Sequence, residues 1–278
     1  GWLIPPGEVV DGGPGQDGIP AIAVPVFQRV ADDTFNFPGD LVVGVFHDGE
    51  YRAYPHKILD WHEVVNHSVL SDYFVLSYCP LTGSALAWDV DDDAGNPEFG
   101  VSGLLYNGNL ILYDRATDSR WSQMLELAVW GPRVSEVPER IQVIETTWET
   151  WVAMYPNSLV LTRDTGFYSD PDYFIYPYGN YRWDDRLLFP VSNLDNRLHK
   201  KTRVIGIHSA TASKVYQIDE FGVATQTLNE QFDGQPIVVV GNSADNFAAI
   251  YSRELADGTV LTFSPLAGQF PSVMEDNE

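Results

Sequence analysis

The chain of 278 residues is poor in several residue types, and each shortage excludes something. It has one cysteine, Cys79, so no intrachain disulfide can form. Its cations are few: 16 Lys and Arg stand against 39 Asp and Glu, a net charge of −23, and the only lysines are Lys57, Lys200, Lys201 and Lys214. That balance excludes sequence-independent nucleic-acid binding, which needs cations against phosphates, and argues against docking on anionic membranes. No run of about 18 apolar residues is present, so no segment reads as a membrane-spanning helix. Gly-x-Ser-x-Gly, phosphate-loop and dinucleotide fingerprints are also missing, so no nucleotide cofactor is expected and a hydrolase reading lacks local support. Disorder is excluded as well, because 44% of the residues are hydrophobic.

Aromatics, glycine and proline are plentiful: 8 Trp, 14 Tyr, 14 Phe, 23 Gly and 18 Pro. This is the composition of many short strands joined by tight turns. It predicts a mainly β fold (α+β with few short helices). Residues 1–20, with four prolines and six glycines, read as an extended arm. Hairpin strands are expected at 41–46 and 51–54 around Asp48-Gly49, then a helix over 56–67 opened by Pro55. Strands follow at 74–78, 84–88, 98–104 and 109–113. A second helix is expected over 147–155, with Thr146 and Glu149 as a capping box and Pro156 as its stop. Residues 164–190 are irregular but too aromatic for a solvated linker, so they must pack on the domain body or on another chain. The chain begins Gly1-Trp2-Leu3-Ile4 without Met or a leader pattern. That reads as a mature or trimmed form, and with the acidic, lysine-poor composition it suggests an extracytoplasmic setting (secreted or cell surface).

A weak repeat runs through the chain. Val42-Val43-Gly44-Val45-Phe46 with Arg52-Ala53-Tyr54 is echoed by Val204-Ile205-Gly206-Ile207-His208 with Lys214-Val215-Tyr216. The segment from Asp72 through Trp88 is echoed by Gln235 through Ile250. The expected organisation is therefore an arm at 1–20, a first β unit at 21–190 and a shorter second unit at 191–278. The two would form one pseudo-symmetric sandwich- or barrel-like body. The second unit lacks counterparts of His62 and Cys79, which places any chemistry in the first.

Five separated segments carry a resemblance. They are Ala53-Tyr54-Pro55, Trp61-His62-Glu63-Val64-Val65-Asn66, Tyr78-Cys79-Pro80-Leu81-Thr82-Gly83-Ser84, Leu112-Tyr113-Asp114-Arg115 with Ser119 and Trp121-Ser122-Gln123, and Pro177-Tyr178-Gly179. In this order they resemble the domain of unknown function 3179 family over roughly residues 20–210. The resemblance implies a secreted or lipid-anchored prokaryotic protein and no established activity. Some members carry a second cysteine where this chain has Thr82.

Helical spacing puts Ile58, Leu59, His62, Val65 and Asn66 on one face, so His62 points inward. Cys79 ends a strand beside a glycine turn. Two readings stay open: a metal or redox site of His62 and Cys79, copper-like because imidazole plus thiolate suits that ion, or a hydrogen-bonded core histidine beside an inert buried thiol. Around it, Thr82, Ser84, Asp114, Arg115 and Trp121 are candidate surroundings, with Asp114 and Arg115 as ligand-orienting or catalytic groups or as parts of an ordinary turn. His56, Asp60, Glu63 and His67 form a second helical stripe, either ligands of a divalent ion or a solvated face. Asp89, Asp91 and Asp93 alternate before Gly95, as in an oxygen-rich calcium loop or an acidic hairpin tip. Three functional readings follow. The first is a His/Cys site with redox chemistry on an unidentified small molecule. The second is a non-catalytic homo-oligomer that assembles into surface filaments through the arm or the aromatic loop. The third is a polymer-binding module using exposed Trp and Tyr.

Overall fold

The computed structural model describes residues 1–69, 72–90, 98–266, 268 and 270–277, with backbone alone for 69 and 72. It is mainly β, 41% strand and 11% helix, and among the described residues no sheet closes into a barrel. Strands β1 (Val9–Asp11) and β2 (Phe27–Arg29) precede β3 (Leu41–His47) and β4 (Glu50–Pro55). Helix α1 (His56–His62) leads into a meander of β5 (Val64–Val69), β6 (Asp72–Cys79) and β7 (Ser84–Asp89). Next come β8 (Phe99–Tyr106), β9 (Asn109–Asp114), β10 (Arg120–Ser122), β11 (Leu127–Trp130), β12 (Glu139–Ile141) and β13 (Val143–Thr147). Helix α2 (Trp148–Met154) and β14 (Leu159–Leu161) follow. The carboxy-terminal part holds the hairpin β15 (Val204–His208) and β16 (Ser213–Gln217), and a second meander of β17 (Gln226–Phe232), β18 (Gln235–Asn242) and β19 (Phe247–Ser252). Strands β20 (Phe263–Pro265) and β21 (Met274–Asp276) pair last.

The chain divides into two compact units whose segments interleave. One comprises Gly1–Arg29, Val45–Val143 and Leu159–Lys201; the other comprises Val30–Gly44, Ile144–Ser158 and Thr202–Glu278. The sequence-based boundary at 190/191 assigned 30–44 and 144–158 to the first unit, because a linear reading has no signal for segments that return.

In the first unit a five-stranded sheet, β1-β8-β9-β10-β11, faces a four-stranded sheet, β12-β7-β6-β5. Val64, Val75 and Trp88 from one meet Phe99, Val101, Leu110, Leu112 and Trp121 from the other in a single apolar core. Trp88, Phe99 and Trp121 lie edge-on or tilted at 5.6–6.2 Å between ring centroids, the geometry that favours aromatic packing. Asn66, buried on β5, spans the sheets by donating to the Phe99 carbonyl at 2.8 Å and accepting from the Phe99 amide at 2.7 Å. That bracket satisfies an amide that would otherwise be costly to bury.

The arm expected at 1–20 packs on this unit and contains a short strand. Val9 and Val10 pair with Leu105 and Tyr106 on the sheet edge, and Ile4 is buried. Two adjacent β-branched residues suffice for a short edge strand despite the flanking prolines. Gly103 lets the arm lie flat: its φ is +78°, and a Cβ there would come within 2.7 Å of the Gly15 backbone.

In the second unit α2 starts one residue later than the sequence suggests. Thr147 is the N-cap and accepts from the Thr150 amide, because the Thr146 hydroxyl donates to the Asp245 carbonyl at 2.6 Å. The β17–β19 meander packs Phe232, Ile237, Val239 and Ala248 with Tyr216, Ile218 and Phe221.

Candidate functional site

The expected helix over 56–67 is half as long. It ends at His62, and Glu63 turns the chain with φ +58° and ψ −29°, its amide donating to the Leu59 carbonyl at 2.8 Å. This is a left-handed C-cap, a position usually taken by glycine and strained for glutamate. Residues 64–69 are strand because Val64-Val65 favour extended backbone and pair with Leu76 and Ser77. The stripe His56, Asp60, Glu63 and His67 therefore does not lie along one helix, and it is not solvated: these residues are 2–5% exposed.

His62 does point inward and is fully buried. Its Nδ1 lies 2.7 Å from the Pro20 carbonyl and its Nε2 lies 2.8 Å from the Tyr173 hydroxyl. A carbonyl only accepts, so Nδ1 carries the proton and Nε2 accepts from Tyr173. Tyr173 in turn lies 2.6 Å from the Thr165 hydroxyl, and since its own proton goes to His62, Thr165 donates to it. Burial pushes the imidazole down to about 4, against the pull of the Pro20 carbonyl. His62 is thus a neutral clamp on the aromatic segment, and both ring nitrogens are spent.

The aromatic segment packs on α1. Trp61 Nε1 donates to the Ile175 carbonyl at 3.0 Å, Tyr178 donates to Glu63 Oε1 at 2.9 Å, and Arg182 pairs with Asp60 while lying 4.1 Å from the Tyr176 ring centroid. Between this segment, the arm and the two sheets of the first unit lies a pocket of about 430 Å³. Its walls include Ile19, Leu81, Val101, Leu110, Leu188 and Phe189, with Trp61 and Tyr168. Glu63, Asp60, Cys79 and Tyr178 are its side chains of chemical interest.

Glu63 dominates this pocket. One carboxyl oxygen accepts from Tyr178; the other has no partner among the described residues. Burial pushes the carboxyl up to about 7, with the Asp60 charge adding to the rise and the Tyr178 hydrogen bond opposing it. Burial, then the Glu63 charge, also pushes the Cys79 thiol up, opposed by hydrogen bonds from Thr82 and the Leu110 backbone; Sγ also makes a weak 4.0 Å contact to the Gly108 carbonyl. Tyr178 is raised by burial first and by Glu63 next. Asp60 is raised by burial, with Arg182 opposing. The chemistry on offer is a carboxyl that takes or gives a proton near neutral pH inside an apolar wall.

The other expected site residues fall elsewhere. Asp114 is buried and holds its own turn, accepting from the Thr117 amide at 2.6 Å and from Trp121 Nε1 at 3.0 Å. Arg115 forms a two-pronged pair with Asp17 at 2.8 and 2.9 Å. Neither lines the pocket. Thr82 and Ser84 join Asn109 and Gln123 in a hydroxyl–amide network. Asp89 ends β7, while Asp91 and Asp93 lie outside the described residues. Among the described residues no three His, Cys, Asp or Glu side chains are grouped to hold a metal.

Residues 16–278 match the family model described as protein of unknown function (DUF3179). The chain belongs to this family. No curated protein and no solved structure matches it. Three of the five segments that carry the family resemblance supply Trp61, Glu63, Cys79 and Tyr178 of the pocket wall, and Asp60 directly precedes the first of them. Glu63 and Tyr178 stood in those segments, but sequence reasoning did not single them out as a pair. Their adjacency across two motifs was the available signal.

Proposed function

We propose that the pocket beside Glu63 is the working site of an extracytoplasmic protein that takes a small, largely apolar molecule and exchanges a proton with it through Glu63. One observation carries the reading: a buried carboxyl, with one oxygen held by Tyr178 and the other without a partner among the described residues, forms part of the wall of a 430 Å³ apolar pocket. Such a concave apolar site with a few convergent polar groups is the usual form of a small-molecule site. The location outside the cytoplasm is supported by the charge of −23 and the scarcity of lysine. A copper or redox centre at His62 and Cys79 has less support, since both His62 nitrogens bond within the protein and the thiol is held protonated. Assembly through the arm or the aromatic loop has less support too, since both segments pack on their own unit.

The test is titration with 1-aminoanthracene, an apolar fluorophore that is uncharged at pH 7. Binding of one molecule per chain is expected, and Leu81→Trp, which fills the pocket from its rim, should abolish it. Failure of the unaltered protein to bind, or equal binding by the filled variant, would contradict the reading.

A further inference from the structure

We infer that the molecule this pocket takes is a cation with an apolar body, a primary or secondary amine whose ammonium group is received by the unpartnered oxygen of Glu63. The inference rests on the pocket being the working site and adds the class of ligand. Four observations converge. First, the pocket wall holds two carboxyl side chains, Asp60 and Glu63, and no lysine, arginine or histidine among the described residues. A bound anion would face those carboxyls without a countercharge. Second, Asp60 is already paired with the Arg182 guanidinium, while no ion pair with a cation joins Glu63 among the described residues. Third, Glu63 is 5% exposed and receives one hydrogen bond, from Tyr178. A buried carboxylate with a free oxygen is stabilised far more by a charged donor than by a neutral one. Fourth, three aromatic side chains, Trp61, Tyr168 and Tyr178, line the same pocket, and aromatic rings attract cations once water is excluded. The chain-wide charge of −23 adds a field that concentrates cations at the surface.

The groups that face Glu63 are Asp60 from α1, Cys79 from the end of β6 and Tyr178 from the aromatic segment, with Arg182 behind Asp60 and His62 spent on Pro20 and Tyr173. Of these, Glu63 is the one pushed up to about 7. An amine should therefore bind best where Glu63 is ionised and the amine is still protonated, and it should weaken as acid neutralises Glu63.

The experiment uses the whole chain and three matched probes in calorimetric titration at pH 8 and pH 5.5: cyclohexylmethylamine, cyclohexylmethanol and cyclohexanecarboxylate. The amine should bind at least tenfold more tightly than the alcohol at pH 8, lose on the order of tenfold at pH 5.5, and the carboxylate should show no binding. Glu63→Gln should abolish the preference, so that amine and alcohol bind this variant equally. Tyr178→Phe, which keeps the carboxyl, should retain the amine preference. If the alcohol equals or exceeds the amine at pH 8, or the carboxylate binds best, the amine inference fails while the pocket reading stands. If none of the three binds and 1-aminoanthracene also fails, the pocket reading falls and takes this inference with it.

Discussion

The same order of elements occurs twice in the chain, and the two copies differ in what they bury at the ends of the connector and of the central strand. A hairpin, a short helical connector and a three-stranded meander run as β3–β4, α1 and β5–β7, and again as β15–β16, residues 218–221 and β17–β19. The central strands β6 and β18 have eight residues each, and the strands after them, β7 and β19, have six each. At the end of the connector the first copy has His62-Glu63 and the second has Phe221-Gly222. At the end of the central strand the first has Cys79 and the second has Asn242. Both connectors leave through a positive φ, +58° at Glu63 and +68° at Gly222. In the second copy the choices favour stability: Phe221 packs in the core, glycine takes the turn without strain, and Asn242 closes its own turn through Asp245 at 2.7 Å. In the first copy a buried imidazole, a strained and buried carboxylate and a desolvated thiol replace them. Strain and buried ionisable groups are thus concentrated at one copy of the repeat, and the proposed function rests on that copy.

The largest effects expected from breaking this contrast come from His62 and Glu63, and they have opposite signs with pH. The His62 imidazole is held at about 4, below its ordinary value of 6.5, so the folded state loses stability as pH falls from 6.5 toward 4. Glu63 is held at about 7, above its ordinary 4.5, so its contribution is full below 4.5 and is lost as pH rises through 7. Each swing is on the order of 3 kcal/mol, and in the unaltered protein the two partly cancel. His67 is also held at about 4 by burial and acts in the same direction as His62. Urea unfolding between pH 4.5 and 8 should therefore show a steeper loss of stability toward acid in Glu63→Gln and a shallower one in His62→Leu than in the unaltered protein. At neutral pH, His62→Leu should also cost about 3 kcal/mol by orphaning the Pro20 carbonyl and the Tyr173 hydroxyl. Phe221→Leu in the other copy should cost about 1 kcal/mol with no change of pH slope.

Gly103→Ala should cost about 2–3 kcal/mol, since it combines a positive φ with a Cβ pressed against the Gly15 backbone. By lifting the arm it should also weaken 1-aminoanthracene binding. The smallest effects are at the two connector ends. Gly222→Ala should destabilise by about 1–2 kcal/mol, while Glu63→Gly should relieve about 1 kcal/mol of backbone strain. Thermal melts at pH 7 should place Gly222→Ala below the unaltered protein and Glu63→Gly above Glu63→Ala, a comparison in which both variants lack the Tyr178 hydrogen bond.

Much of this was legible in the sequence. The 3.6-residue spacing around Ile58 and Leu59 turned His62 inward, and it is buried. The Tyr-rich run at 164–190 was too apolar for solvent, and it packs on α1. The two echoed segments fold as corresponding elements. The site itself was less legible, for physical reasons. Glu63 looked like part of a polar helix face because no glycine or proline announced that the helix stops at His62. A glutamate in the left-handed region is a conformational exception that propensity does not signal. The arm hid a strand of three residues between prolines. The pocket is assembled from the arm, both sheets of the first unit and the aromatic segment, so no local pattern contains it. Asp114 and Arg115 drew notice as a charged pair, but each is consumed by a nearer partner, Thr117 with Trp121 and Asp17 respectively.

The central claim is that a desolvated carboxyl at residue 63 titrates near neutrality inside an apolar pocket. A ¹³C NMR titration of the glutamate carboxyl carbons, with Glu63 assigned by its loss in Glu63→Gln, tests it directly. The account predicts a midpoint near 7 for that signal, shifted by a bound alkylammonium and unmoved by the matching alcohol. A midpoint in the ordinary range between 4 and 5 would contradict it.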